Sequence, residues 1–124
     1  MIKILVVDDE VDICDFVRNF FKERDFEVFV AYDGREAVNL VKSRDPDIVL
    51  LDIKMPIMDG IEALKEMRKI SPEKKIIMIT AVEDAEQMEE AKRYGVAEYI
   101  TKPLVLEQLE RTVLTVAEQL KMKK

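Results

Sequence analysis

Two kinds of segment alternate in the hydrophobic and polar pattern of this chain. Short runs of strand-like composition occur at residues 2–7, 26–31, 48–51, 76–79 and 97–100. Each run is followed by a segment in which apolar residues recur at three- and four-residue steps, which predicts an amphipathic helix. Five strands alternating with five helices favour an α/β fold, so we predict a doubly wound five-stranded parallel sheet with five helices.

The predicted helices differ in the strength of their apolar faces. The first begins at Val11, and residues 33–36 have the spacing of a capping box that starts the second. The fourth, roughly residues 83–94, is the weakest because few apolar residues stand among many Glu and Gln. The last, from Leu106 to Leu120, has a spacing that core packing and a partner helix both require, and we favour core packing. The apolar face predicted for the first helix consists of Ile13, Phe16, Val17, Phe20 and Phe21.

The stretch from Asp47 to Gly60 contains the residue on which our functional interpretation depends. Its apolar run is typical of a strand buried on both faces, and the run stops at the carboxylate of Asp52. Pro56 and the turn residues Asp59-Gly60 prevent the strand from continuing. Asp52 therefore lies at the carboxyl end of a strand, where open α/β sheets bind ligands. Taken alone, it could equally be a capping or solvated acid.

Polar side chains also follow the other strands. Asp8-Asp9-Glu10 follows the first, Thr80 ends the fourth and Lys102 comes just after the fifth. Right-handed crossovers bring the carboxyl ends of parallel strands to one edge of the sheet. We therefore expect Asp8, Asp9, Asp52, Thr80 and Lys102 to lie close together.

Three neighbouring carboxylates need a compensating positive charge. Two unit charges ~4 Å apart interact by about 4 kcal/mol at an effective dielectric constant of 20. A hard divalent cation with oxygen ligands fits such a site, and Mg²⁺ is the expected ion. Lys102 and Thr80 would bind an oxyanion, so the group of residues favours a phosphoryl group. In this interpretation Asp52 is the nucleophile, Asp8 and Asp9 hold the metal, and Lys102 and Thr80 contact phosphoryl oxygens.

Composition excludes several classes of function. The 124 residues, 48% of them hydrophobic, fit one domain spanning 1–124. With 26 acidic against 20 basic residues there is no broad basic face, so direct nucleic-acid binding is not expected. No apolar run is long enough for a membrane span, and we expect a soluble, cytoplasmic protein. The sequence has no histidine, the usual base of a catalytic triad and the commonest zinc ligand, which argues against a triad hydrolase and a zinc enzyme. The one cysteine, Cys14, cannot form an internal disulfide.

The most specific motifs of the chain are residues 4–10, 51–60, Thr80-Ala81, Tyr99 and Thr101-Lys102-Pro103. Together they resemble the receiver domain of two-component response regulators, over essentially the whole length of the chain. The resemblance implies a flavodoxin-like strand order of 2-1-3-4-5 and transfer of a phosphoryl group from a sensor-kinase phosphohistidine to Asp52. It also implies Mg²⁺ bound by Asp9, Asp52 and the backbone carbonyl of Lys54, with Asp8 acting mainly through water, and a cis peptide before Pro103.

In similar proteins the phosphoryl group also drives a conformational switch. The resemblance implies that the Thr80 hydroxyl moves toward phosphate and that the Tyr99 ring follows inward. This movement changes the face formed by the fourth helix, fifth strand and fifth helix. The implied partners are a sensor histidine kinase or phosphotransfer protein and a downstream effector, with a homodimer on phosphorylation as one alternative. From the sequence alone, Tyr99 is equally well an ordinary half-buried strand residue.

Three other functions are alternatives to a phosphoacceptor domain. A flavin-binding domain needs a Ser-, Thr- or Gly-rich phosphate loop where this chain has residues 8–10. A phosphatase that uses an aspartyl phosphate typically has an Asp-x-Asp motif, whereas this chain has Asp52-Ile53-Lys54. An interaction module would not need the complete set of site residues. We therefore expect a phosphoacceptor rather than a turnover enzyme, either free-standing or one domain of a longer regulator.

The expected lifetime of the phosphoryl group is long. Two positions tune this lifetime in similar proteins, two residues after the nucleophile and two after the threonine. These positions hold Lys54 and Val82, and neither side chain is an acid or amide that would orient an attacking water. We predict slow intrinsic dephosphorylation.

Overall fold

A single parallel sheet forms the centre of the protein. The computed structural model describes residues 1–81 and 85–122. The strands pair in the order β2-β1-β3-β4-β5, and all four pairings are parallel. Both features confirm the predicted fold. The strands are β1 (Lys3–Val7), β2 (Glu27–Ala31), β3 (Ile48–Asp52), β4 (Lys75–Thr80) and β5 (Glu98–Thr101).

Helices cover both faces of this sheet. One face carries an apolar cluster that includes Val38, Leu64 and Met88, and the other carries a cluster that includes Phe21 and Val113. The predicted start of the fourth helix at residue 83 lies outside the described residues. Within the described ranges, no helix combines the length and hydrophobicity needed to cross a lipid bilayer. The helices are α1 (Val11–Lys22), α2 (Gly34–Arg44), α3 (Gly60–Ile70), α4 (Ala85–Arg93) and α5 (Leu106–Met122).

The central strand β3 has the burial that its unbroken apolar sequence predicts. All of its residues are buried, because helices pack against both faces of the sheet. The strand ends at Asp52, and α3 begins after Asp59, whose carboxylate accepts a hydrogen bond from the Glu62 amide at 2.9 Å. This cap satisfies one of the free amides at the start of the helix and fixes the length of the loop that follows Asp52.

The capping box predicted for α2 is only partly present. The Asp33 carboxylate accepts from the Glu36 amide at 2.8 Å, as the spacing predicts. The Glu36 carboxylate, however, accepts from the amide of Tyr32, at 3.0 Å, and not from that of Asp33. The side chain reaches one residue beyond the cap, so the start of the helix is still held from both sides.

The apolar face predicted for α1 was wrong at Phe16, whose residue surface is 60% exposed. The buried residues of the helix are Cys14, Val17 and Phe21, spaced by three and four positions. Successive side chains of an α-helix point about 100° apart, so Phe16 points about 100° away from its buried neighbour Val17. The Phe16 side chain therefore faces solvent. The sequence pattern identified the helix correctly but made its buried face too wide.

Candidate functional site

Three carboxylates meet at the carboxyl edge of the sheet. Strands β1 and β3 are neighbours, with Val7 paired to Leu51, so the residues that follow this pair also lie side by side. One carboxylate oxygen from each of Asp8, Asp9 and Asp52 lies within 4.8 Å of the others. Asp8 and Asp52 are 2% and 4% exposed, whereas Asp9 is exposed. The cluster therefore has a buried base and an open side.

The ammonium group of Lys102 lies against the two buried acids. Its Nζ is 3.1 Å from Oδ2 of Asp52 and 3.7 Å from Oδ2 of Asp8. The backbone amide of Lys102 donates to the Thr80 carbonyl at 2.7 Å, which fixes the residue beside the end of β4. The peptide between Lys102 and Pro103 is cis, as expected. Lys102 thus cancels part of the negative charge of the two buried acids.

The backbone holds the remaining oxygens of the buried acids. Oδ1 of Asp8 accepts from the Glu10 amide and Oδ1 of Asp52 accepts from the Ile53 amide, both at 2.9 Å. These bonds fix the orientation of each carboxylate before any ligand arrives. The site is therefore preorganised by contacts within a few residues of each strand end.

Burial and neighbouring charges shift the pKa values of three site residues, Asp8, Asp52 and Lys102. Burial, together with the negative charge of Asp8, raises the pKa of Asp52 to about 6, against the opposing effect of Lys102. Burial also raises the pKa of Asp8. Burial alone would lower the pKa of Lys102, but the neighbouring carboxylates, Asp52 foremost among them, together outweigh it and raise that pKa. The folded protein thus carries two acids that are costly to ionise together.

The loop after Asp52 is tied to its surroundings. The Gly60 amide donates to the Ile53 carbonyl at 2.6 Å, and the Gly34 amide donates to the Met58 carbonyl at 3.0 Å. Lys54, whose carbonyl the resemblance assigns to the metal, lies within this loop. Carboxylates and backbone carbonyls are the oxygen donors that Mg²⁺ and Ca²⁺ prefer, so the residues present fit a hard divalent cation.

Two of the predicted site residues are turned away from the carboxylates. Thr80 is buried, and its hydroxyl donates to the Ala81 carbonyl at 3.0 Å. Among residues 1–81 and 85–122, no hydrogen bond joins this hydroxyl to Asp52. Tyr99 is 48% exposed, and its ring lies under the ammonium group of Lys92. Val82, the second lifetime position, lies outside the described residues.

Gly34 shapes the site, although its role was not predicted from the sequence. A Cβ atom placed there would lie 2.2 Å from the Met58 carbonyl oxygen, so only glycine allows α2 to approach the loop after Asp52. The dipeptide Asp33-Gly34 repeats Asp59-Gly60, which also starts a helix. That repetition is the sequence signal from which its role could have been suspected.

The raised pKa values predict how stability depends on pH. Because Asp52 binds its proton more tightly in the folded chain than at the ordinary value of 3.8, the stability that Asp52 contributes falls as the pH rises from about 4 to about 6. Asp52→Asn lacks this titration. Without divalent cations, the stability of the variant minus that of the wild type should therefore increase by about 1–3 kcal/mol across this range. Urea unfolding of both proteins at several pH values measures the difference, and a constant or falling difference would contradict the prediction.

Three comparisons with known proteins give one consistent family. The family model described as the response regulator receiver domain matches residues 4–114. The regulatory protein AtoC of Escherichia coli is 40% identical over 122 residues, which are 98% of this chain and 26% of that protein. The chain therefore spans about a quarter of the length of this relative.

Solved structures of the same family have the same fold as this chain. The crystal structure of a response regulator receiver domain protein from Clostridium thermocellum superposes with a TM-score of 0.93 at 28% identity, over 100% of both chains. The REC domain of AraT, a response regulator from Geobacillus stearothermophilus, superposes with a TM-score of 0.89 at 34% identity, covering 98% of this chain and 96% of that one.

Proposed function

Because the chain belongs to the response regulator receiver domain family, we propose that Asp52 accepts a phosphoryl group from a phosphohistidine in a Mg²⁺-dependent reaction. The observation that carries this proposal is the position of the Asp52 carboxylate, between two further acids and the ammonium group of Lys102. A buried acid with two further carboxylates and an ammonium group beside it is suited to attack phosphorus rather than to cap a helix.

Each residue has a role in the proposed transfer. A carboxylate oxygen of Asp52 forms a bond to phosphorus while the bond from phosphorus to the donor imidazole nitrogen breaks, and the imidazole leaves with that electron pair. With its pKa at about 6, Asp52 is mostly ionised at neutral pH and able to attack. Asp8, Asp9, Asp52 and the Lys54 carbonyl would hold Mg²⁺, which when bound supplies positive charge to the phosphoryl oxygens. Lys102 would pair with one of those oxygens.

Thr80 and Tyr99 supply the proposed switch. The Thr80 hydroxyl would leave the Ala81 carbonyl and donate to a phosphoryl oxygen, and the Tyr99 ring would then move inward from its exposed position. The result is a changed surface on α4, β5 and α5. The phosphoryl group shifts the balance between two states only as far as its contacts in those states differ.

We propose a stoichiometric acceptor with slow self-dephosphorylation, not a turnover enzyme. Incubation with a small phosphate ester and Mg²⁺ distinguishes the two. An acceptor gives at most one label per chain and negligible product beyond that amount. Release of many phosphate equivalents per chain would instead identify a phosphatase and overturn the proposal.

The proposed partners are a sensor histidine kinase or phosphotransfer protein on the input side and an effector on the output side. Residues 1–124 would act as one receiver domain in the cytoplasm. The much greater length of AtoC supports an effector carried on a longer polypeptide as one arrangement. A phosphorylation-dependent homodimer is another proposed form of output.

The phosphoryl group on Asp52 is expected to persist well beyond seconds once the donor is removed. Lys54 is neither an acid nor an amide, so it would not orient a water for attack. Mass spectrometry at intervals after removing acetyl phosphate measures the loss of label. Lys54→Asn, which introduces an amide, should shorten the lifetime, and Lys54→Met should leave it long. Loss of the wild-type label within seconds would contradict the prediction.

A further inference from the structure

Lys92 contacts the face of the ring that the proposed switch must move. Its Nζ lies 4.9 Å from the centroid of the Tyr99 ring, within the range of a cation–π interaction. We propose that Lys92 is a positioning residue that holds Tyr99 outward and so sets the resting balance of the switch. This inference rests on the proposed function, because it concerns the same movement of Tyr99.

The contact joins two elements that are otherwise only lightly coupled. Lys92 lies in the last turn of α4, and Tyr99 lies on β5, the edge strand of the sheet. The buried residues of the described part of α4 are Met88 and Ala91, so little apolar surface fixes this helix to the rest of the fold. A polar contact at its end therefore has a larger share in the relative placement of α4 and β5 than it would on a well-buried helix.

The contact exists in one state of the switch and not in the other. When the ring moves inward it leaves the ammonium group, so the cation–π interaction stabilises the outward state alone. A contact made in only one state shifts the equilibrium by its whole energy. For an exposed pair this corresponds to about two- to fivefold in favour of the outward ring. Such a bias is small enough for a phosphoryl group to overcome.

A simpler interpretation is that Lys92 is only a solvated helix-end residue. Its ammonium group lies 3.3 Å from Glu89 Oε1, three residues earlier, and basic residues are common at helix C-termini. Helix α3 contains a similar ion pair that can serve as a control. There Lys69 Nζ lies 3.4 Å from Oε1 of Glu66, which is also three residues earlier. Within the described part of the chain, Lys69 makes no cation–π contact. Lys69→Gln therefore removes the same charge and the same kind of ion pair without affecting Tyr99.

The experiment follows the Tyr99 ring directly. The chain has three tyrosines, and in protein containing 3-fluorotyrosine the ¹⁹F signal of Tyr99 is identified by its absence in Tyr99→Phe. Beryllium fluoride with Mg²⁺ serves as the phosphoryl probe. In Lys92→Gln without the probe, the Tyr99 signal should shift toward its position in the saturated wild type. The concentration of probe for half conversion should fall about two- to fivefold.

Control variants separate a ring contact from a general charge effect. Lys69→Gln should match the wild type, and Lys92→Arg should keep most of the outward bias because a guanidinium also stacks on aromatic rings. In a Tyr99→Leu background, adding Lys92→Gln should no longer change probe affinity. An unchanged effect in that background would show that Lys92 acts through another group and would overturn the inference.

Failure of the inference differs from failure of the proposed function. If Lys92→Gln behaves like the wild type while saturating probe still moves the Tyr99 signal, the switch stands and the role of Lys92 is wrong. If saturating probe moves the Tyr99 signal in no variant, the proposed switch fails and the role of Lys92 fails with it.

Discussion

Asp52→Asn is expected to gain no phosphoryl group when incubated with acetyl phosphate and Mg²⁺, whereas the wild type gains one per chain. Asparagine has nearly the shape of aspartate, but its amide is a poor nucleophile and a weaker ligand for a hard cation. The loss of labelling should therefore be complete rather than partial. Intact mass of both proteins after the same incubation measures it directly.

A matched control exists at the other end of the same strand. Asp47 precedes β3, and its carboxylate accepts from the Lys3 amide at 2.8 Å, away from the acidic cluster. Asp47→Asn removes one acid of the same type and should still be labelled. Labelling of Asp52→Asn at the wild-type level would place the acceptor elsewhere, with Asp8 and Asp9 as the remaining acids of the cluster, and would overturn the proposed chemistry.

The sequence pattern was sufficient to predict the α/β class and the edge of the sheet at which the acids lie. Strands such as residues 48–51 are recognisable because burial on both faces requires an unbroken apolar run. The polar residue that ends each run marks the edge at which the strands meet. Since parallel strands connected by right-handed crossovers share one carboxyl edge, the pattern places Asp8, Asp52 and Lys102 at the same edge of the sheet, where the structure shows them in contact. The strand order itself came only from the resemblance to a family.

Features that depend on side-chain direction could not be predicted from the pattern. Phe16 has the right spacing for the core, yet it faces solvent because the buried stripe of α1 is centred on other residues. The outward direction of Tyr99 and its contact with Lys92 depend on how α4 packs beside β5, which no local signal specifies. The approach of Gly34 to Met58 is equally a tertiary contact between distant parts of the chain.

Gly60→Ala is expected to lower the free energy of unfolding by about 3 kcal/mol or more and to slow labelling of Asp52. A Cβ atom at position 60 would lie 2.0 Å from the Asp52 carbonyl oxygen and 2.7 Å from the Ile53 Cα. Both are backbone atoms of the segment that carries the proposed nucleophile, so neither can rotate away. Relief of the clash must move either the start of α3 or the end of β3. Urea unfolding and the rate of labelling by acetyl phosphate measure the two effects.

Gly95→Ala separates this clash from the ordinary cost of replacing a glycine. Gly95 has a φ of 76°, and no atom lies within 4 Å of a Cβ placed there. Alanine in that left-handed conformation should cost roughly 1–2 kcal/mol of stability while the rate of labelling stays unchanged. Equal destabilisation by the two substitutions, or labelling of Gly60→Ala at the wild-type rate, would show that the loop after Asp52 tolerates displacement. In that case the close packing of Gly60 would not be what positions the acceptor, and the hydrogen bonds to Ile53 and Lys102 would have to do so alone.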